Sequence, residues 1–313
     1  MPFVPVESAD DPRLDPFRRI KGRTDRHEET FVGESEIVLE RLFASSIVVR
    51  SVLTTPARAA RLHEEIAAYL FRVAGAHEPE VFTAPQPVID AVVGYPLHRG
   101  VIAVAERPVL PSALSLLSTA QTVVVLEGVM DPENVGSVFR HAAGFGADAV
   151  LLHGHTGDPL YRKTIRTSMG WTLSIPYART EPGSSLTSLL SDAGFVSLAL
   201  TPSRSVDLLT TVIASLPPTS KVALLLGAEG PGLEESTMAS SHYRARIPLS
   251  DGVDSLNVAT TAALALFSLS TAHPNRLLTA GGPHLRFASS PTRESSPTGK
   301  PDRGLHHRTH SAS

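Results

Sequence analysis

Two short runs without a polar side chain, Val123-Val124-Val125-Leu126 and Ala223-Leu224-Leu225-Leu226, constrain this chain most. A strand with one face in water alternates apolar and polar residues. An unbroken apolar run needs cover on both faces, as a central parallel strand between two helix layers has. Around these runs strand and helix patterns alternate from about Thr122 to Thr271. Strands are predicted at Thr122–Leu126, Ala149–Leu152, Phe195–Leu200, Val222–Leu226 and Arg244–Leu249. The pattern predicts an α/β domain over about 118–272 with a parallel sheet flanked by helices.

A smaller α/β unit is expected ahead of it, over 16–110. A short amphipathic helix follows Phe31 through Leu42, a β-branched strand runs Ser46 to Leu53, and a helix spans Ala57 to Ala74. Val81-Phe82 and Val101 to Ala105 read as strands, with a short helix at Pro87 to Val93 between them. The proline-punctuated Arg107-Pro108-Val109-Leu110-Pro111 reads as the linker. Residues 1–15, rich in acids and prolines, and the Pro/Ser/Thr/Arg-rich residues 273–313 are expected to be disordered. The histidines of that tail, His306, His307 and His310, lack companion carboxylates, and no metal site is expected.

The 313 residues contain no cysteine, which excludes disulfides, thiolate metal sites and a cysteine nucleophile. No apolar run reaches the length of a membrane span, and the first residues lack the basic-then-apolar order of a signal peptide, so a cytoplasmic protein without a membrane partner is expected. The formal charge is −3. From Arg276 onward six Arg/Lys stand against two acids, which leaves about −7 on the rest, so any affinity for nucleic acid must come from local patches such as Arg18, Arg19, Lys21, Arg23 and Arg26. Only four of the 28 basic residues are lysine, a skew that suits bidentate phosphate contacts but also follows from a GC-rich genome.

Three polar corners follow predicted strands, at the strand ends where open α/β sheets bind ligands. In the first, Leu126 to His141, Asp131 is placed to cap a helix that Pro132 begins, and Val135, Val138, Phe139 and Ala142 form its inner face. Asn134 is not needed as a cap there, and Arg140 projects from the outer side, either as a solvated charge or as a guanidinium for a ligand. The second, Gly227-Ala228-Glu229-Gly230-Pro231-Gly232, is a turn that lets a ligand approach the backbone. It lacks the Gly-Lys-Ser/Thr of a phosphate-binding loop and the placement of a dinucleotide fingerprint, which argues against a nucleotide-dependent oxidoreductase. In the third, Ser250 to Thr261, Asp254 or Ser255 is expected to cap a final helix, with Asn257 just inside it.

Together, and in this order, these corners resemble the three motifs of the SpoU/TrmH class of SPOUT methyltransferases. Asn134-x-Gly-x-x-x-Arg140, Gly227-x-Glu229-x-x-Gly232, and Ile247-Pro248-Leu249 with Ser255-Leu256-Asn257-Val258 carry the resemblance over roughly half the chain, Thr122 to Ser270. Ala259 stands where many members have a second serine. The first half, including His98-Arg99-Gly100-Val101-Ile102-Ala103, resembles the ribosomal-protein-like substrate-binding domain of these enzymes.

The resemblance implies a C-terminal trefoil-knot domain, a homodimer with active sites completed at the interface, and transfer of methyl from S-adenosylmethionine to a ribose 2′-hydroxyl of RNA. It places the cofactor against Gly227, Ile247 and Leu256, and Arg140, Glu229, Ser255 and Asn257 in the active site with Asn134 supporting. No metal is implied. On this reading Arg140 binds the adjacent phosphate and stabilises the developing alkoxide, a role easier for an ever-protonated group than that of base. Ser255 and Asn257 would orient the ribose, and Glu229 would hold a loop or Arg140. Large-subunit (23S) ribosomal RNA is the expected target. A transfer-RNA enzyme of the same class and a catalytically inactive RNA-binding homologue are the alternatives.

Overall fold

The computed structural model describes residues 3–18, 29–73, 78–97 and 100–274. The basic run beyond Arg18, the His98-Arg99 pair and the tail from residue 275 lie outside them.

The first sheet is built from β1 (Val4–Pro5), β2 (Thr30–Glu34), β3 (Val49–Thr54), β4 (Glu80–Thr83) and β5 (Val101–Glu106) in the order β1-β4-β3-β5-β2. The first three neighbours run parallel, and β5 lies antiparallel to both β3 and β2. Helices α1 (Asp15–Arg18), α2 (Glu36–Ala44), α3 (Pro56–Arg72) and α4 (Gln86–Val93) cover its faces. Within the stretch 1–15 expected to be disordered, residues 3–15 are instead packed into the fold, and the packing continues to Arg18. Between its acids and prolines this segment carries Val6, Leu14 and Phe17, which are buried in one face of this sheet, Phe17 edge-on to Phe82 at 6.2 Å. Those three side chains supply the burial that composition alone conceals. The strand β2 also escapes a periodicity reading, because Gly33 interrupts its alternation.

The second sheet has seven strands, all parallel: β6 (Thr122–Glu127), β7 (Ala149–His153), β8 (Tyr177–Arg179), β9 (Phe195–Leu200), β10 (Asp207–Leu208), β11 (Lys221–Gly227) and β12 (Tyr243–Arg246). Their order is β10-β12-β9-β11-β6-β7-β8. The two unbroken apolar runs are thus neighbours at the centre, in register from Val222 opposite Thr122 to Gly227 opposite Glu127. Helices α5 (Ala113–Thr119) and α8 (Leu186–Asp192) pack on one face. On the other lie α6 (Pro132–Gly144), α9 (Leu209–Ser215) and α11 (Val258–Ala272). Helices α7 (Arg162–Thr167) and α10 (Glu235–Ser240) complete the unit. The strand expected to reach Leu249 stops at Arg246, where its neighbour β10 ends and Pro248 removes a ladder donor. The following residues, 247–257, are irregular.

The expected linker is tied down at both ends. Arg107 pairs with Asp158 at 2.8 Å, and Leu110 packs on the core of the second unit. Leu160, Ile165 and Leu173 of the second unit are buried in one core with Phe31, Val38 and Leu42 of the first, so the two sheets share a hydrophobic junction.

Phe17 is fully buried, so Phe17→Ala should destabilise the protein by about 3–5 kcal/mol through lost burial and a residual cavity. Urea unfolding measures this, and a change below about 1 kcal/mol would mean that the N-terminal stretch is not part of the fold.

Candidate active site

Where β9, β11 and β12 end, the chain turns three times around a cavity of about 450 Å³, within the roughly 300–1,000 Å³ of small-molecule sites. Leu200, Thr201 and Pro202 follow β9, the turn from Gly227 to Gly232 follows β11, and Ile247, Leu249 and Ser255 to Val258 follow β12. Leu226, Ala245 and Val258 supply a buried apolar floor.

Gly227 is required by close approach. A Cβ there would lie 2.1 Å from Gly232 C and Leu233 N, both backbone atoms that the Ala228–Gly232 bridge holds in place. Gly230 and Gly232 take positive φ, 87° and 76°, which other residues rarely adopt. At the base of the turn Glu127 accepts from Glu234 N and from the Thr237 hydroxyl at 2.7 Å, fixing the return of the chain.

Above the cavity three side chains from the three corners meet. Asn134 Nδ2 donates to Glu229 Oε1 at 2.8 Å, and Asn257 Nδ2 donates to the same oxygen at 3.0 Å and to Asn134 Oδ1 at 2.8 Å. Asn257 is itself the N-cap of α11, its Oδ1 accepting from Ala259 N at 2.8 Å and Thr260 N at 3.3 Å. This corrects the expectation that Asp254 or Ser255 caps the helix and that Asn257 sits inside it. It also explains the residue type. The cap requires an acceptor, the neighbours require a donor, and an amide presents both on one planar group. An aspartate at this position could cap but not donate, and would face Glu229 with a second negative charge.

The structure therefore brings together Asn134, Glu229 and Asn257, and sets Gly227, Ile247, Leu256 and Ser255 around the adjoining cavity. Arg140 is not among them. It projects from α6 into solvent, is not among the residues lining the cavity, and Glu229 binds the two amides rather than this guanidinium. Helical geometry gives the reason, because residues six apart on α6 lie about 120° apart around the axis. Sequence reasoning missed Leu200, Thr201 and Pro202; the available signal was that they too follow a strand at its C-terminal end.

On the next residue of α6, burial pushes the His141 imidazole below its ordinary value. A hydrogen bond to the Ala259 backbone opposes the shift, and the adjacent Arg140 adds to it. Among the described residues there is no group of three His, Cys, Asp or Glu placed to hold a metal, and no helix long and apolar enough to cross a membrane.

This fold and site define a parallel α/β protein with a preformed small-molecule cleft roofed by an Asn–Glu–Asn cluster. The SpoU rRNA Methylase family model matches residues 121–267, the unit that carries the cleft. An uncharacterized tRNA/rRNA methyltransferase of Mycobacterium bovis is 41% identical over 84% of this chain and 90% of its own. The 23S rRNA (guanosine-2'-O-)-methyltransferase RlmB of a Burkholderia species is 30% identical over 74% and 91%. The crystal structure of an AdoMet-bound rRNA methyltransferase from Sinorhizobium meliloti superposes with a TM-score of 0.71 at 25% identity, covering 85% of this chain and 97% of that one. The chain belongs to the SpoU rRNA methylase family, and is accordingly an RNA methyltransferase with S-adenosylmethionine as methyl donor.

Two measurements probe the cluster and its helix. Glu229→Ala removes the acceptor shared by two amides and should cost about 1 kcal/mol in urea unfolding, whereas Glu229→Gln, which keeps an oxygen there, should lie closer to the parent. For His141, a lowered folded pKa means that the unfolded chain takes up the proton first. Its contribution is complete above the unfolded value and declines as pH falls toward the folded one. The melting temperature should drop more steeply below about pH 6.5 in the parent than in His141→Gln.

Proposed function

We propose that the cleft holds S-adenosylmethionine with its adenosine over the apolar floor and its methyl directed at the Asn134–Glu229–Asn257 cluster, beside which a ribose of ribosomal RNA docks. The carrying observation is that one oxygen of Glu229 gathers amides from two corners that lie more than a hundred residues apart in sequence, directly at the cavity rim. The residues suit this ligand. Leu226, Ala245, Ile247 and Leu256 offer apolar contact for a purine, and the irregular backbone of residues 247–256 offers donors and acceptors for its polar edge. When bound, S-adenosylmethionine supplies a methyl group already activated by its sulfonium.

The methyl acceptor is the ribose 2′-hydroxyl, a poor nucleophile while neutral, so the protein must orient it and stabilise the negative charge that develops on its oxygen as its proton passes to solvent. Ser255 and Asn257 stand at the rim to orient the sugar. Glu229, held between two amides, fixes the position of Asn257 instead of anchoring an arginine. Arg140 serves as the phosphate ligand and alkoxide stabiliser, and since it points out of its own cavity it serves the cavity of a second copy. The outward stripe of α11 supports that assembly. Leu264 and Phe267 are 39% and 52% exposed there, and Phe267 packs on Phe145 at the end of α6, the helix that bears Arg140. Homodimer formation through α6 and α11 would cover this apolar face and bring Arg140 to a neighbouring site.

Similarity to a 23S rRNA enzyme over most of both chains supports ribosomal RNA as the target, ahead of transfer RNA. Transfer of tritiated methyl to separate pools of undermodified ribosomal and transfer RNA tests this, with alkali-resistant linkages identifying the ribose product; label in transfer RNA alone would reverse the assignment. Arg140→Ala and Asn257→Ala should each lose at least about a hundredfold in transfer, Arg140→Ala with cofactor affinity unchanged. Mixed after co-refolding, the two variants should regain activity that neither has alone, because one cavity in the hybrid is intact. Absence of that rescue would place Arg140 at its own site or outside catalysis.

A further inference from the structure

On the side of α6 away from α11, the helix α7 crosses at close range. A Cβ on Gly136 would lie 2.6 Å from Thr164 O, so glycine sets the spacing of the two helices. The crossing gathers cations. Lys163 pairs with Glu133 at 2.9 Å, next to Asn134 of the cluster. Arg162 pairs with Glu34 of the first unit and lies 4.4 Å over the Tyr95 ring. Arg41 of α2 lies 3.6 Å from the centre of the Trp171 ring. Burial pushes both arginines down to about 10, which leaves them charged at neutral pH. Arg166 lies one helical turn from Arg162 and Lys163, is exposed, and forms no ion pair with a described residue; Arg140 shares those last two properties.

The seam between the two units thus holds five cations in a chain of net charge −3. Facing them are the paired carboxylates Glu34 and Glu133 and the exposed Glu40 near Arg41, with Asp90 near Tyr95. The only two non-glycine residues with positive φ among the described residues, Ser35 at 85° and Met169 at 53°, both border this seam. Backbone strain persists only where the surroundings over-determine it, so the seam is a rigid junction. It is a preorganised cationic strip in which Arg166 and Arg140, both exposed and neither in a close ion pair with a described residue, are turned to solvent, Arg166 feeling Glu133 only at longer range.

We propose that this seam is the phosphate track of the substrate, with Arg166 as its main contact, Lys163 as a second, and Arg140 at the end that meets the methylated nucleotide. It rests on the methyltransferase reading above and specifies how that site receives its RNA. Arg41 and Arg162, locked on aromatic rings, hold the two units at a fixed distance along the track. A backbone-reading track of this kind positions the strand without selecting its sequence.

Fluorescence anisotropy with a labelled, mixed-sequence single-stranded RNA tests the track, read as affinity against salt concentration. Arg166→Ala should weaken binding roughly three- to tenfold and reduce the slope of log affinity against log salt by about 0.7–1, the loss of one phosphate contact. Arg166→Glu should lose more, and Arg166→Lys should keep most of the affinity, because a phosphate accepts a point charge. Cofactor affinity and the fluorescence of Trp171 should stay at parent values, and KM for RNA should rise with kcat little changed. Lys163→Gln, at a partly exposed position, gives the same readout if Arg166→Ala does not fold. The control is Arg61→Ala, an exposed cation on α3 away from the seam. Arg166 variants that match the control in affinity and slope would overturn the track while leaving the enzyme reading standing. So would a loss in Arg166→Ala that Arg166→Lys does not recover and that comes with altered Trp171 emission, since that pattern marks a structural role. A parent protein that neither binds RNA nor transfers methyl would overturn the reading beneath it.

Discussion

The amide of Asn257 is the interaction on which this site depends. Its oxygen closes the open N-terminus of α11, and its nitrogen reaches back to Asn134 and Glu229. A helix cap contributes about 1 kcal/mol, and so does a typical hydrogen bond. Here a single planar group makes both, so the start of α11 cannot move without releasing the other two corners. The irregular residues 247–256 gain their definition from this anchor. They have no ladder partner past Arg246, and they are held between β12 at one end and the Asn257 cap at the other.

Placing the anchor at the rim of the cavity has a consequence for preorganisation. A cleft that must grip a flexible ligand loses affinity for every loop it orders on binding. In this protein the loop after β11 is bridged on itself between Ala228 and Gly232, and the loop after β12 is tied through Asn257. The ordering cost of both is therefore met in folding, by contacts among protein groups alone. The same economy recurs at the junction of the two sheets, where Arg107 and Asp158, Arg162 and Glu34, and the Arg41–Trp171 stack lie around a shared apolar core. What the segment Arg107 to Pro111 joins is two packed bodies.

Much of this was legible beforehand, for identifiable reasons. The buried runs at Val123 and Ala223 need cover on both faces, and they are the central pair of the sheet. Gly227 marks a point of close backbone approach that leaves no room for a Cβ, and Gly232 a positive φ that other residues rarely adopt. What escaped reading depends on partners distant in sequence. Whether Asn257 caps a helix or sits inside it is decided by contacts 28 and 123 residues away. The place of residues 3–18 depends on pairing with β4, some eighty residues on, and on the apolar face beside it. The edge strands β8 and β10, of three and two residues, are too short to show a period. Thr201 and Pro202 carry no chemical signature at all, and only the end of β9 brings them to the cavity.

The position of Arg140 follows from how α6 divides its surface. Val135, Val138, Phe139 and Ala142 commit one side to the sheet, Gly136 commits a second to α7, and Asn134 reaches the Glu229 cluster from the first turn. His141 is half-buried against the start of α11. Ser137, Arg140 and Gly144 are left for the outside. A guanidinium there is useful to a reaction only if substrate or a second copy comes to that face. Both would come to it under the proposed assignment, since a strand laid along α7 meets α6 where Arg140 emerges, and a copy docked on the Leu264–Phe267 stripe approaches α6 at the same surface. Catalysis and substrate entry would then share one exposed face of one helix, with the glycine at 136 setting how near α7 lies to it.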